Sequence, residues 1–316
     1  MSADLQNPIF TDENSAREAL EATVWPNGPV CPHCGNADAG KLAKAQGKRV
    51  RSGLWYCAAC NGQFTATVGT VFERSKIPLT KWWLAMHLLG SSKKGISSHQ
   101  LHRSLGVTYK TAWFMTHRIR EAMRAGGLAP LGGSGKTVEV DETFIGRKEG
   151  TEKARGGWGH KNAVLTLVER GGSARSFHID SATVKEIAPI VRANLTREST
   201  LMTDEASQYT KLGREFADHS TVDHGRKEYG YTDRVTGFKA NTNTVEGYYS
   251  IFKRGMKGVY QHCAEKHLHR YLAEFDFRYS NRSALGIEDV QRVSKIAAGI
   301  TGKRLTYRRI NGESSA

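Results

Sequence analysis

Three acids and four cysteines are the residues of this 316-residue chain whose types and spacing suit chemistry. The acids are Asp141 in VEVDET, Asp204 in LMTDEAS and Glu246 in NTVEGYYSIFKR. Alternation along TVEVDETFIG sets Val138 and Val140 on one face of a strand and Glu139 and Asp141 on the other. Asp204 follows an apolar strand start and shares a face with Met202. Glu246 lies on a helical stretch, and Lys253, seven residues on, falls on the same face nearly two turns later. Any one of these acids would also suit a plain solvent-facing surface. Together they suit phosphoryl transfer, in which two divalent ions about 3.5–4 Å apart activate the attacking oxygen and stabilise the leaving one. Magnesium takes oxygen ligands and keeps several waters, so a few carboxylates suffice.

The cysteines read differently. Cys31 and Cys34 form one C-x2-C pair, and Cys57 and Cys60 form a second after 22 intervening residues. Two such knuckles close a tetrahedron around zinc. Gly35 and Asn61-Gly62 follow the knuckles, where the backbone must turn back toward the sulfurs. A redox role needs one C-x-x-C beside a βαβ pattern, and none is near. Four thiolates also fill the coordination sphere, so the metal is structural, not catalytic; His33, between two cysteines, points outward. A segment of about 45 residues builds too small a core alone, and zinc supplies the deficit. Cys263 is left over as a partly buried thiol.

These groups need elements to hold them. FTDENSAREALEATV reads as a helix capped by Thr11. Short strands and turns run from Cys31 to Phe72, with a hairpin after the second knuckle. Three helices follow: LTKWWLAMHLLGSS, ISSHQLHRSLGV capped by Ser97 or Ser98, and TYKTAWFMTHRIREAMRAGG ended by Gly126 and Gly127. The last two, with the turn at Leu105-Gly106-Val107, resemble a helix-turn-helix. Thr108, Tyr109 and Lys110 then open the helix whose start enters a major groove, and Arg118 lies on the same helix; a plain three-helix bundle fits the same pattern. After the linker GGLAPLGGSG come a strand (TVEVDETFIG), a hairpin (GHKNAVLTLVERGGSARSFHID), a helix (TVKEIAPIVRANLT), a strand (TLMTDEAS) and two helices. That order means an α/β domain with a mixed sheet. The expected boundaries are an N-terminal helical segment at 1–27, a small β zinc ribbon at 28–75 and a three-helix region at 76–127. An α/β domain at 134–285 and a C-terminal helix with a disordered tail at 286–316 complete the chain.

Charge points to a partner. The net charge is +15, and the stretch from Lys41 to Arg120 holds 14 Lys or Arg against one acid, Glu73. A block this basic attracts polyanions, and phosphate neutralisation is the usual basis of nucleic-acid affinity. No apolar run approaches the roughly 18 residues of a membrane span. The acidic N-terminus lacks a signal pattern and reads as mature protein, which sets the expected location in the cytoplasm.

The motifs in this order closely resemble bacterial insertion-sequence transposases of the DDE type with an N-terminal zinc ribbon. The order is zinc ribbon, helix-turn-helix, VEVDETFIG, LMTDEASQY, HGRKEYGY, NTNTVEGYYSIFKRGMKGVY and HLHRYLAEFDFRYSNR. The resemblance covers roughly residues 15 to 300, and its most specific part is Asn241 to Arg282. It implies an RNase H-like catalytic domain in which Asp141, Asp204 and Glu246 bind Mg or Mn, with Lys253 contacting DNA. It also implies a histidine near the site at His224 and leaves Asn243, one turn before Glu246, as a rival third ligand. Arg278, Asn281 and Arg282 either bind phosphates or cap helices. The implied partners are double-stranded DNA, as terminal inverted repeats and as target, and further copies of the chain. The alternative is a transposase-derived DNA-binding regulator without catalysis.

Overall fold

A computed structural model describes residues 5–153, 155–223, 225, 230–232, 234–235 and 237–306. In chain order the elements are α1 (Glu13–Val24), β1 (Leu42–Lys44), β2 (Trp55–Cys57), β3 (Gly62–Phe64), α2 (Leu79–Ser91), α3 (Ser98–Leu105) and α4 (Tyr109–Met123). Then follow β4 (Thr137–Ile145), β5 (Asn162–Glu169), β6 (Ala174–Ile179), α5 (Val184–Asn194), β7 (Thr200–Asp204), α6 (Gln208–Leu212) and β8 (Asp218–Val222). The last are β9 (Tyr231–Thr232), β10 (Lys239–Ala240), α7 (Asn243–Gly255), α8 (Leu268–Ser280) and α9 (Asp289–Ala298). The chain divides into two units: residues 1–92, 96–124 and 288–316 form one, and residues 93–95 and 125–287 form the other.

In the first unit, β1, β2 and β3 make a small antiparallel sheet behind the cysteines. Its core is Cys31, Leu42, Cys57 and Phe64, with Trp25 edge-on to both Trp55 and Phe64. The cap of α1 is Asp12, whose carboxylate accepts the Ser15 N–H at 2.7 Å, and not Thr11. Glu13 in turn accepts the N–H groups of Leu79 and Thr80, satisfying the first turn of α2, which begins at a proline without a side-chain cap. Ser97 caps α3, and Thr108 caps α4. Helix α4 ends at Met123, before the glycine pair. The helices do not form a closed three-helix set, since α1 and α9 both pack on α2 and α9 also packs on α4. The residues from 288 onward thus complete the N-terminal unit, and the tail GESSA lies outside the described residues.

The second unit is built on a five-stranded sheet in the order β6-β5-β4-β7-β8. The pairs β6–β5 and β5–β4 are antiparallel, and β4–β7 and β7–β8 are parallel. Val138 and Val140 face a core shared with Ile187 and Val191 of α5 and Tyr209 of α6. The opposite face of the sheet packs on Val245, Tyr249 and Phe252 of α7 and Leu272 and Phe275 of α8. Helices thus cover both faces, and β5 is buried from Asn162 to Val168.

Candidate active site and metal centre

The four cysteines converge. Cys31 Sγ lies 3.7 Å from Cys60 Sγ, Cys34 Sγ lies 3.7 Å from Cys57 Sγ, and all four sulfurs fall within 4.8 Å of one another. A tetrahedron with zinc–sulfur bonds of about 2.3 Å puts its sulfurs roughly 3.8 Å apart, which the two 3.7 Å separations match, so the set suits zinc. Gly35 and Asn61 adopt positive φ after their knuckles (72° and 56°), and Tyr56 Oη donates to Asn61 Oδ1 to hold the second turn. His33 points away: its Nε2 meets the Gln63 carbonyl at 3.2 Å.

The acids gather on the second unit. The parallel register of β4 and β7 pairs Glu139 with Met202, so Asp141 and Asp204 lie two residues further along neighbouring strands on the same face. That face meets the start of α7, which carries Glu246. Burial, then the charges of Glu142, Asp204 and Glu246, push the Asp141 carboxyl up to about 7. Asp204 and Glu246 are each within electrostatic reach of Asp141, and Glu142, from the other face of β4, acts on it as well. Asp204 Oδ1 accepts the Ala206 N–H at 3.1 Å, and Glu246 Oε1 accepts the Thr242 hydroxyl at 2.8 Å. Glu142 accepts the Tyr209 hydroxyl at 2.6 Å, and burial raises its carboxyl above the usual range. Among the described residues, the cysteines are the one set of three or more His, Cys, Asp or Glu groups with every ligand atom within 4.8 Å. The carboxylates are spread wider.

Lys253 is half-buried beside this cluster. Burial lowers its ammonium from the usual range, the charge of Asp141 opposes that, and Lys257 and Lys161 add repulsion. Asn243 is exposed on the first turn of α7, where its N–H donates to Asn241 Oδ1 at 3.2 Å. His224 and most of HGRKEYGY lie outside the described residues. The three residues expected either on phosphates or in caps are used internally. Arg278 is buried against Glu274, Asn281 closes α8 by donating to the Phe277 carbonyl, and Arg282 donates to the carbonyls of Gly172 and Tyr279.

On the first unit, Tyr109 and Lys110 are exposed at the start of α4, with Tyr109 stacked on His99 at 4.3 Å. Arg118 does not join them. It is 8% exposed, and its guanidinium donates to the carbonyls of Leu305 and Glu73 while lying over the Phe114 ring. The helical turn that should have exposed it is covered by the returning C-terminal segment, which residue spacing in α4 alone does not signal.

Sequence reasoning also passed over Glu142, Glu139 as a partner, Arg170 and Tyr249. Tyr249 Oη donates to the Asp141 carbonyl, tying α7 to β4 behind the site. Neither its spacing nor that of Arg170 marks it, although the strand alternation had put Glu139 beside Asp141.

Residues 130–280 match the family described as the ISXO2-like transposase domain, and residues 11–63 match the transposase zinc-ribbon domain. Together the two matches cover more than half of the chain. A relative named as an uncharacterized protein in transposable element ISH50, from Halobacterium salinarum, is 27% identical over 285 residues, covering 85% of this chain and 91% of the relative. The four converging cysteines and both domain matches agree, and the chain belongs to the insertion-sequence transposases that carry an N-terminal zinc ribbon.

Proposed function

We propose that the protein is a DDE transposase whose second unit is RNase H-like and whose Asp141, Asp204 and Glu246 hold divalent ions, Mg or Mn. The observation that carries this reading is geometric: Asp141 and Asp204 lie on one face of neighbouring strands, against the start of the helix that carries Glu246, where burial first and then the charges of Glu142, Asp204 and Glu246 push the Asp141 carboxyl up to about 7. Several carboxylates drawn to one place on a buried face suit a site that takes cations. The strand order, three antiparallel strands continued by two parallel ones, supports the RNase H-like assignment. When bound, the ions supply positive charge to the attacking and leaving oxygens, so no covalent enzyme intermediate is needed.

The chain's own residues prepare the site. The Ala206 N–H and the Thr242 hydroxyl orient Asp204 and Glu246, and the Tyr209 hydroxyl orients Glu142. Lys253, held beside Asp141, is placed to pair with a phosphate of the bound strand. Helices α3 and α4 act as a helix-turn-helix, with Tyr109 and Lys110 entering the groove of the terminal inverted repeats. The basic stretch from Lys41 to Arg120 supplies phosphate attraction, and zinc holds the ribbon. Two ends of an element must be brought together with target DNA, which calls for more than one copy of the chain. The protein works in the bacterial cytoplasm on the nucleoid.

The test is strand cleavage and strand transfer on the element's own ends. Asp141→Asn, Asp204→Asn and Glu246→Gln are each expected to abolish cleavage and to leave end binding within a few fold. Equal loss of both would refute the division of labour. Activity retained by the Glu246 variant alone would move the third ligand to Asn243. Binding without cleavage by the unaltered protein would favour the regulator.

A further inference from the structure

The two acids furthest apart in the chain, Asp141 and Glu246, sit on separate elements whose spacing something must fix. Glu139 lies two residues before Asp141 on the same face of β4 and is 0% exposed. One of its carboxylate oxygens accepts Arg170 Nε at 2.6 Å, and the other accepts the Val245 N–H at 2.8 Å, in the first turn of α7 and one residue before Glu246. Arg170 follows β5. Its Nη1 donates to the Lys239 carbonyl at 2.7 Å and its Nη2 to the Asn241 carbonyl at 2.6 Å, so its fork grips the segment that leads into α7. Its own N–H donates to the Thr137 carbonyl on β4 at 3.0 Å. Strand β4 pairs on both sides, with β5 and with β7, so this end of the link has no freedom.

We infer that Glu139 and Arg170 are positioning residues that set the separation of Asp141 and Glu246 for divalent-cation binding. The inference rests on the reading of those acids as the cation site. A buried pair is a poor source of net stability, because desolvation cancels much of its attraction. This pair, joined by one hydrogen bond, instead directs three more at one junction, where a carboxylate also complements the positive end of α7. Arg is required there, since a lysine has no fork to reach two carbonyls and a carboxylate together.

The experiment is Mn2+ titration of the full-length zinc-loaded protein by electron paramagnetic resonance, with thermal unfolding recorded on the same samples. Asp141→Asn is the control for the site itself and should remove the tight Mn2+ binding. Glu139→Gln and Arg170→Lys should each weaken Mn2+ affinity of the folded protein roughly 10- to 100-fold, the range seen when partners that orient metal ligands are lost. Arg170→Lys keeps a positive charge opposite Glu139, so it tests the link in a protein whose buried carboxylate stays neutralised. If Asp141→Asn removes binding while Arg170→Lys binds Mn2+ like the unaltered protein, the positioning role is overturned and the site stands. If Asp141→Asn leaves binding unchanged, the site reading and this inference fall together. A merely structural role would lower the unfolding midpoint and leave the folded protein's affinity intact, which also overturns the inference.

Discussion

Single buried groups in this protein carry pH behaviour that can be read with its sign. Asp276, on α8, is largely buried and accepts the Tyr248 hydroxyl at 2.6 Å and both the hydroxyl and the N–H of Ser176. Burial pushes its carboxyl up to about 6, against those donors and the charge of Arg175. A raised carboxyl holds its proton more tightly in the folded state than in the unfolded chain. Its contribution to stability is therefore full below the ordinary value of 3.8 and is lost as pH rises through about 6. At about 1.4 kcal/mol per pH unit the loss reaches roughly 3 kcal/mol. In Asp276→Asn the decline of the unfolding midpoint between pH 4 and pH 6 should flatten, and a profile as steep as the parent's would remove Asp276 as its source. Nothing local in HRYLAEFDFRYS distinguishes Asp276 from a surface acid. On β4, Asp141 was legible as sharing a face with Glu139, because strand alternation gives faces; that Asp204 and Glu246 join it was read from the family resemblance. Glu142 was not legible, because it points to the other face of the sheet and meets Tyr209 of α6, a contact between residues 67 apart.

Elements follow the same division between local and distant causes. The ribbon was legible to the level of its ligands, because two knuckles of fixed spacing leave few alternatives to a tetrahedral metal. Its sheet is only three short strands, and its core is four buried side chains, two of them zinc ligands. Such a core contributes little on its own, since each fully buried large apolar side chain supplies about 1.5–3 kcal/mol against roughly 1–2 kcal/mol of backbone entropy for every ordered residue. Zinc removal by a strong chelator should therefore unfold residues 31–72 and leave the second unit folded. Protection of Leu42, Phe64 and their neighbours from hydrogen exchange in metal-free protein would refute a structural role for the metal. The starts of the expected helices were legible to within a residue or two, whereas α6 carried no expectation. The shift from Thr11 to Asp12 at α1 comes from Asp12 also accepting the Ser15 hydroxyl, which secures the cap twice. The end of α4 at Met123 was missed because Arg124 already leaves the helical region, and the glycines beyond it were not needed to stop the helix.

At the scale of the whole molecule, the order of the chain and the grouping of its parts differ. The sequence reads as a line of modules, with a terminal helix after the catalytic part. The chain instead leaves the first unit at residue 124 and comes back to it at Glu288. The returning segment is built in. Ile296 and Ile300 are 0% exposed, the Val71 N–H donates to the Ile300 carbonyl at 3.0 Å, and Thr70 bridges to Thr301. Arg118 closes on the Leu305 carbonyl, and Lys303 Nζ donates to the Ala122 carbonyl at 3.3 Å. The periodicity of DVQRVSKIAA predicts an amphipathic helix but not which surface it covers, since that choice is made by shape across some 200 residues of chain. Energetics make the dependence testable. Truncating one buried Ile costs about 2–5 kcal/mol, and a whole domain holds only about 5–15 kcal/mol. A chain ending at Ile287 loses two such residues together with the backbone pairing at Val71, so its first unit should lose cooperative unfolding and DNA-end binding. Its second unit, which the cut leaves intact, should keep its own transition and its Mn2+ binding. Retention of tight end binding by the shortened chain would show that α1 to α4 fold without α9, and would restore the linear reading of the modules.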